Sequence, residues 1–263
     1  MVTADFIEQL RAIVGEEDVI SHPEDLLVYE YDGSVDRSMP SAVIFPTSTE
    51  EVSRVLALTH REGVPVVGRG SGTGLSGGAI ALEGGIQIAF TKMNHILEVD
   101  SENRTATIEP GVINLDLDTY VRRFGMRYAP DPSSQRACSL GGNIAENAGG
   151  PHCLAYGTTT NHVLGMEVVL EDGTILNLGG PTRETPGYDL RGVFVGSEGT
   201  FGIASTITVR LLPLPEIVKT FLGIFPDIDT ACTAVSAVIG HGIVPAALEM
   251  IDALSIKAVQ SVT

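Results

Sequence analysis

Between Val66 and Gly78 the chain reads VVGRGSGTGLSGG, six glycines and one arginine directly after the apolar run Val64 to Val67. A glycine-dense turn at a strand end lets many backbone N–H groups converge on one point, which is phosphate-binding chemistry. A second stretch of the same character, SLGGNIAENAGG, runs from Ser139 to Gly150. Together they point to a nucleotide cofactor. Lys+Arg number 16 against 33 Asp+Glu, a formal net charge of -17. Such a surface excludes condensation on nucleic acid or anionic lipid. It also means that backbone dipoles, with Arg69 inside the loop, are expected to supply the positive potential for a phosphate.

Three kinds of phosphate loop compete at this position. A Walker loop ends in GK followed by a hydroxyl residue, and no lysine occurs between Met1 and Phe90. The GxGxxG fingerprint is formally met by Gly72, Gly74 and Gly77, with Asp100 near the distance of a ribose-binding acid. That fingerprint should open a long helix, however, and here Ala79 to Leu82 runs straight into Glu83-Gly84-Gly85. A Rossmann-type NAD(P) protein therefore stands only as an alternative.

Other chemistries are poorly supported. Cys138, Cys153 and Cys232 form no CxxC pair, which argues against an iron–sulfur cluster or zinc held by this chain and points to a reducing cytoplasm. A zinc set of Cys138, His152 and Cys153 would need two adjacent ligands on one tetrahedral ion. His152 reads as a structural hydrogen-bonder, and His95, His162 and His241 show no partner pattern. Ser139 and Ser197 lie outside any GxSxG, and Ser76 meets it only formally in Gly74-Leu75-Ser76-Gly77-Gly78, with no helix pattern following as that motif needs.

The elements that must position the glycines follow from pattern. An amphipathic N-terminal helix carries Phe6, Ile7, Leu10, Ile13 and Val14 on one face and lacks the basic start of a targeting segment. Val43 to Phe45 reads as a strand ended by Pro46. Ser48 with Glu51 forms a capping-box signal for a helix running to Gly63, and Val64 to Val67 as the next strand completes a βαβ unit that delivers the loop. Strands are expected at 85–90, 96–99 and 105–109, a helix at 114–124, a hairpin around Glu171-Asp172-Gly173, and a strand through Ile203, Ile207 and Val209. Pro213 and Pro215 mark a boundary near residue 215. Beyond it the pattern reads strand 219–225, a helix 229–239 capped near Asp229 or Thr230, strand 243–251, and a closing helical stretch, ALSIKAVQSV. The apolar stretch 230–248 is broken by Gly240, Gly242 and Pro245, too early for a membrane span.

PTSTEEVSRVLALTHREGVPVVGRGSGTGLSGGA, then PDPSSQRACSLGGNIAENAGGPHCLAYGTTTNHVLGMEVVLEDG and GSEGTFGI, resemble in order the FAD-binding PCMH-type domain of the vanillyl-alcohol oxidase and p-cresol methylhydroxylase superfamily. Within it the chain looks most like the flavin subunit of bacterial glycolate oxidase and the FAD-linked D-lactate dehydrogenases. The resemblance implies an α+β fold. A two-subdomain FAD-binding domain would cover residues 1–214, with a helical segment to about residue 40, and a ferredoxin-like α+β substrate domain would begin at 215–263 and break off there.

It also implies site residues. The diphosphate would lie on the N–H groups of Arg69, Gly70, Ser71, Gly72, Thr73 and Gly74, with Gly77 and Gly78 nearby. Pro130, Asp131, Ser133 and Ser134 would line the flavin side, and Gly141, Gly142, Asn143, Ala148, Gly149 and Gly150 would continue along the cofactor. Tyr156, Gly157, Glu198, Gly202 and Ile203 would complete the cavity near adenine and ribose. No histidine lies between Arg61 and Asn94, so noncovalent FAD is expected at that loop. Ala155 stands where the family often has a basic residue before the tyrosine. The implied activity is oxidation of a 2-hydroxy acid by hydride transfer to flavin N5, with electrons passing to a separate acceptor such as an iron–sulfur subunit. Catalytic residues are not assigned, being expected beyond residue 263. A noncatalytic FAD-binding module is the alternative. The expected location is the cytoplasm, with membrane association only through partner subunits.

Overall fold

The architecture is taken from a computed structural model that describes residues 2–82, 84–180, 182 and 187–261; Glu83 of the EGG turn and Val262 of the closing helical stretch lie outside them. The first lobe begins with helix α1 (Ala4–Val14), started by the Thr3 hydroxyl, which accepts from Phe6 N at 3.2 Å. Its buried stripe is Phe6, Ile7, Leu10 and Val14, with Ile13 only partly covered. Strand β1 (Val19–Ile20), helix α2 (Pro23–Leu26) and strand β2 (Ala42–Ile44) follow. Helix α3 (Thr49–Glu62) is capped as expected by Ser48, which accepts from Glu51 N at 3.3 Å. The reciprocal half of the box lands one residue earlier, because the Glu51 carboxylate takes the N–H of Thr47 at 2.7 Å.

Strands β3 (Val66–Arg69) and β4 (Ile86–Ala89) complete a sheet of order β1-β2-β4-β3, with β2 and β3 each parallel to β4. The expected βαβ unit is therefore split, since β4 inserts between its two strands. Neighbouring parallel strands need a crossover of a dozen or more residues, usually a helix. Here the glycine-rich segment between β3 and β4 is that crossover and forms no helix among its described residues.

The second lobe adds β5 (Ile96–Asp100), β6 (Thr105–Ile108), α4 (Asn114–Val121), β7 (Met126–Arg127), α5 (Leu140–Ala145), α6 (Cys153–Tyr156), β8 (Val163–Val169), β9 (Ile175–Gly179), α7 (Leu190–Phe194), β10 (Ile203–Arg210) and β11 (Leu212–Pro213). The helix expected to reach Phe124 tightens into a 3-10 turn after Val121. An antiparallel sheet of order β5-β6-β10-β8-β9 carries the lobe. Residues of β10 alternate strictly between buried and half-buried, as a strand packed on one face should. The β8–β9 hairpin turns where expected, Asp172 Oδ1 accepting from Thr174 N at 2.9 Å.

Side-chain bonds tie the lobes together. Thr49 Oγ1 donates to Glu167 Oε1 at 2.7 Å and Ser53 Oγ to the Gly173 carbonyl at 2.6 Å, while Val169 and Ile203 share a core with α1 and α3. Past residue 215 the structure departs from expectation. Helices α8 (Ile228–Gly240) and α9 (Ala253–Gln260) form, but 219–225 and 243–251 are not strands, and the cap of α8 is Asp227. A strand requires a partner edge, and none is offered to these segments among the described residues. Phe221, Leu222 and Ile224 accordingly stand exposed. Among the described residues no helix is long and apolar enough to cross a membrane.

Candidate functional site

Strand β3 ends at Arg69, and the chain then crosses the end of the sheet as irregular backbone. The N–H groups of Ser71 through Gly78 find no acceptor among the described residues; the next one, on Ala79, is taken by Asp32 Oδ2 at 3.4 Å. Ser71, Leu75, Ser76 and Gly78 are exposed, so water meets donors of this run where no ligand does, and the run stays available to an anionic acceptor. Asp32 itself is buried and held in a tight turn by Ser34 N at 2.7 Å.

The facing wall is the segment around α5. Ser139 caps that helix, accepting from Gly142 N at 3.3 Å, and its hydroxyl presses on Gly70, where an added Cβ would come within 2.3 Å of Ser139 Oγ. The lobes thus touch at Gly70 and open on either side. Between them lies a cavity of about 380 Å³. It is lined by Gly70 to Gly74 and Gly78 from the first lobe and by Ser133, Ser134, Gly141, Gly142, Asn143, Ala148, Glu198, Gly202 and Ile203 from the second. A second cavity of about 230 Å³ shares Gly70, Ser71, Phe90 and Ser139 with it and continues past Asn94 and Asp116. The two cavities therefore meet at Gly70, Ser71, Phe90 and Ser139.

The remaining expected site residues lie outside this lining. Arg69 does not project its charge into the cavity. Its guanidinium is buried behind the loop, donating to the Tyr31 carbonyl at 2.9 Å and the Ala79 carbonyl at 3.5 Å, with the Tyr29 ring 5.5 Å away. Burial pulls its pKa below the ordinary arginine value, opposed by the charge of Asp32. Its place as a brace explains Gly72, which has φ +67° and would put a Cβ 2.6 Å from Arg69 Nη2. Gly77 faces Ser34 and Asp36. The Pro130 carbonyl accepts from Asn114 Nδ2 at 3.0 Å, and Asp131 pairs with His152 Nδ1 at 2.6 Å. Gly149 and Gly150 back onto Cys153 and Asp131, Gly157 onto Asn161, and Arg127 lies 5.3 Å from the Tyr156 ring centre.

Several lining residues escaped the sequence reading, among them Asp32, Phe90, Pro110, Cys138 and Glu146. Asp32 carries a turn signal in YDGS, yet nothing in the sequence brings it 47 residues along the chain to Ala79. Glu146 sits inside the second glycine segment, where attention to backbone hides a side chain. The only charged side chains lining the main cavity among the described residues are acidic: Asp32, Glu146 and Glu198. The Cys138 thiol is buried, and burial raises its pKa against the opposing hydrogen bonds to Ser134 and Asn143.

The two glycine-rich segments line one cavity, and the comparisons give the chain a family. The model described as FAD binding domain matches residues 40–179, and that described as FAD linked oxidases, C-terminal domain, matches 214–263. The chain belongs to the FAD-binding-domain family of FAD-linked oxidases. It is 47% identical over 254 residues to glycolate oxidase subunit GlcD of Bacillus subtilis (strain 168), covering 96% of this chain and 54% of that protein. It is 36% identical over 260 residues to a D-lactate dehydrogenase of Anaerostipes hadrus, covering 95% of this chain and 53% of that one. The chain thus spans about half the length of the curated relatives it matches. Among solved structures, p-cresol methylhydroxylase with substrate bound shares the fold with a TM-score of 0.77 at 23% identity, over 90% of this chain and 49% of that one.

Proposed function

We propose that this chain is the FAD-holding portion of a flavin-dependent dehydrogenase that oxidises a 2-hydroxy acid of the glycolate or D-lactate class. The observation that carries the reading is the run of unaccepted N–H groups from Ser71 to Gly78 lining one cavity with Gly141, Gly142, Asn143 and Ala148. A diphosphate needs donors, and backbone supplies them where the lining offers no cation. Gly70 lets the two walls meet, since a side chain there would run into the Ser139 hydroxyl. Ser71, Thr73, Ser133, Ser134 and Asn143 add polar side chains along the cavity. Asp131, Gly149, Gly150, Tyr156 and Gly157 support these walls from behind rather than line them. Bound FAD would supply the hydride acceptor, while the chain's own residues hold and orient it and exclude water.

Noncovalent attachment is supported by the absence of histidine from 62 to 94. The matched regions support a division in which residues 1–214 form the FAD-binding domain and 215–263 open a substrate domain. Substrate-carboxylate ligands and the proton-accepting base are proposed to lie in the half of the relatives' length that this chain does not span. Partner subunits are supported by the Bacillus subtilis relative being a subunit of an oxidase, and we propose that one of them accepts the electrons at an iron–sulfur centre. A cytoplasmic location accords with the three unpaired cysteines.

The test is reconstitution followed by anaerobic titration. The chain incubated with FAD should show the spectrum of bound oxidised flavin and release all yellow colour to the supernatant on acid precipitation. The full-length gene product should bleach with glycolate or D-lactate. Flavin that binds but never bleaches in the full-length protein would favour a noncatalytic FAD module instead. No flavin binding at all would remove the reading.

A further inference from the structure

The stretch 29–34, ahead of β2, runs directly behind the glycine loop, and buried polar side chains join the two. Gln87 on β4 and Arg69 at the end of β3 each donate to both. Gln87 Nε2 donates to the Tyr29 carbonyl at 2.9 Å and the Ala79 carbonyl at 2.8 Å, and the Arg69 guanidinium to the Tyr31 carbonyl at 2.9 Å and the Ala79 carbonyl at 3.5 Å. Asp32, also buried, closes the set. Its Oδ2 accepts from Ala79 N and its Oδ1 from Ser34 N, and its charge opposes the lowering of the Arg69 pKa by burial. Ala79 is thus held at its N–H and at its carbonyl. The backbones also lie close, because a Cβ on Gly33 would come 2.7 Å from the Gly74 carbonyl oxygen and 3.0 Å from that of Thr73. Gly33 does not have a left-handed φ, so space alone restricts the residue there.

We propose that residues 29–34 are a backing strap for the glycine loop and that Asp32 is a positioning residue for a cofactor's diphosphate. The proposal rests on the FAD reading above. The loop leaves the sheet at Arg69 and is caught again at Ala79, and both residues are tied to the strap. Fixing both ends of a short glycine-rich stretch removes conformations it would otherwise sample, which lowers the ordering cost of binding an anion on its N–H groups. Asp32 acts in two opposed ways. It lines the cavity, where its charge by itself repels a diphosphate. It also holds Ala79 N and offsets the charge of buried Arg69. Leaving a buried cation without its counter-charge is the costlier change, because solvent reaching the cavity screens the repulsion.

Two substitutions test this by different routes. Asp32→Asn keeps the side chain's shape and removes its charge, whereas Gly33→Ala keeps every charge and pushes a methyl group against the loop. Each should weaken FAD binding about tenfold in a flavin-fluorescence titration of the apoprotein. ADP, measured by competition with FAD, should weaken by the same factor, since it carries the diphosphate without the flavin. At saturating ADP the phosphorus NMR resonances of the bound diphosphate should shift from their wild-type positions, which lowered fold stability alone would not cause. Val35→Ala, at an exposed side chain just past the strap, should leave both affinities unchanged. If Asp32→Asn does not fold, Gly33→Ala carries the same prediction. Tighter FAD binding by Asp32→Asn would overturn the proposal by showing that repulsion dominates. Unchanged ADP affinity in the folded variants would overturn it too, since their effect would then lie away from the diphosphate. Failure of the wild-type chain to bind FAD would instead remove the underlying reading.

Discussion

At Gly72 two constraints meet in one residue. Its φ of +67° is left-handed, and the Arg69 guanidinium occupies the space a side chain would need. Gly72→Ala should therefore cost about 1–2 kcal/mol from the backbone alone, read as a shift in urea midpoint, and should lose FAD affinity as Arg69 is displaced. The cysteines offer a second residue-scale test. Cys232 is exposed and Cys138 buried, with the Cys138 thiol pKa raised by burial above its usual 9.0. Under native conditions near neutral pH, iodoacetamide should label Cys232 and spare Cys138, as peptide mass mapping would show. The fold favours the neutral thiol, so the stability that Cys138 contributes is intact below the ordinary thiol value. It declines as pH rises through that value toward the higher folded one. The glycine positions themselves were legible from sequence because a backbone requirement leaves a residue-type signature. Glu146 and Asp32 were not, because a carboxylate carries no sign of which loop it will face.

Elements were read well where their signals are local. Helix α3 needed only Ser48, Glu51 and a periodic stripe, and the structure places Val52, Val55, Leu56 and Leu58 in the core. Ser48→Ala should remove the acceptor for Glu51 N and cost about 1 kcal/mol in thermal or denaturant unfolding. Its effect should reach the cavity weakly, since α3 braces the second lobe through Thr49 and Ser53 rather than touching the glycine walls. Segments 219–225 and 243–251 show the opposite case. Their β-prone composition describes a preference that only a neighbouring strand can convert into structure. Helices α8 and α9 make their own hydrogen bonds and form regardless.

For the whole molecule, the site exists because two lobes meet at an irregular crossover. A ligand bound between them should stabilise both at once. Heating the chain with FAD at about 100 times its dissociation constant should add roughly 2.7 kcal/mol, seen as a rise in melting temperature of a single transition. A rise confined to one of two separate transitions would show that the lobes unfold independently and that the shared core of Val169 and Ile203 with α3 does not couple them.

By itself the chain's sequence determined the glycine loop, the failure of that loop to begin a helix, the second glycine segment and the overall acidity, since each depends on residue type over short spans. Tertiary structure alone decided that β4 would insert between β2 and β3, which stretches residues 70–85 into an open crossover. It also turned Arg69 away from the cavity into a brace, and brought Glu146 from the opposite lobe to the Ser76 hydroxyl. Strand order and side-chain direction depend on contacts between residues distant in sequence. Local propensity carries no record of them.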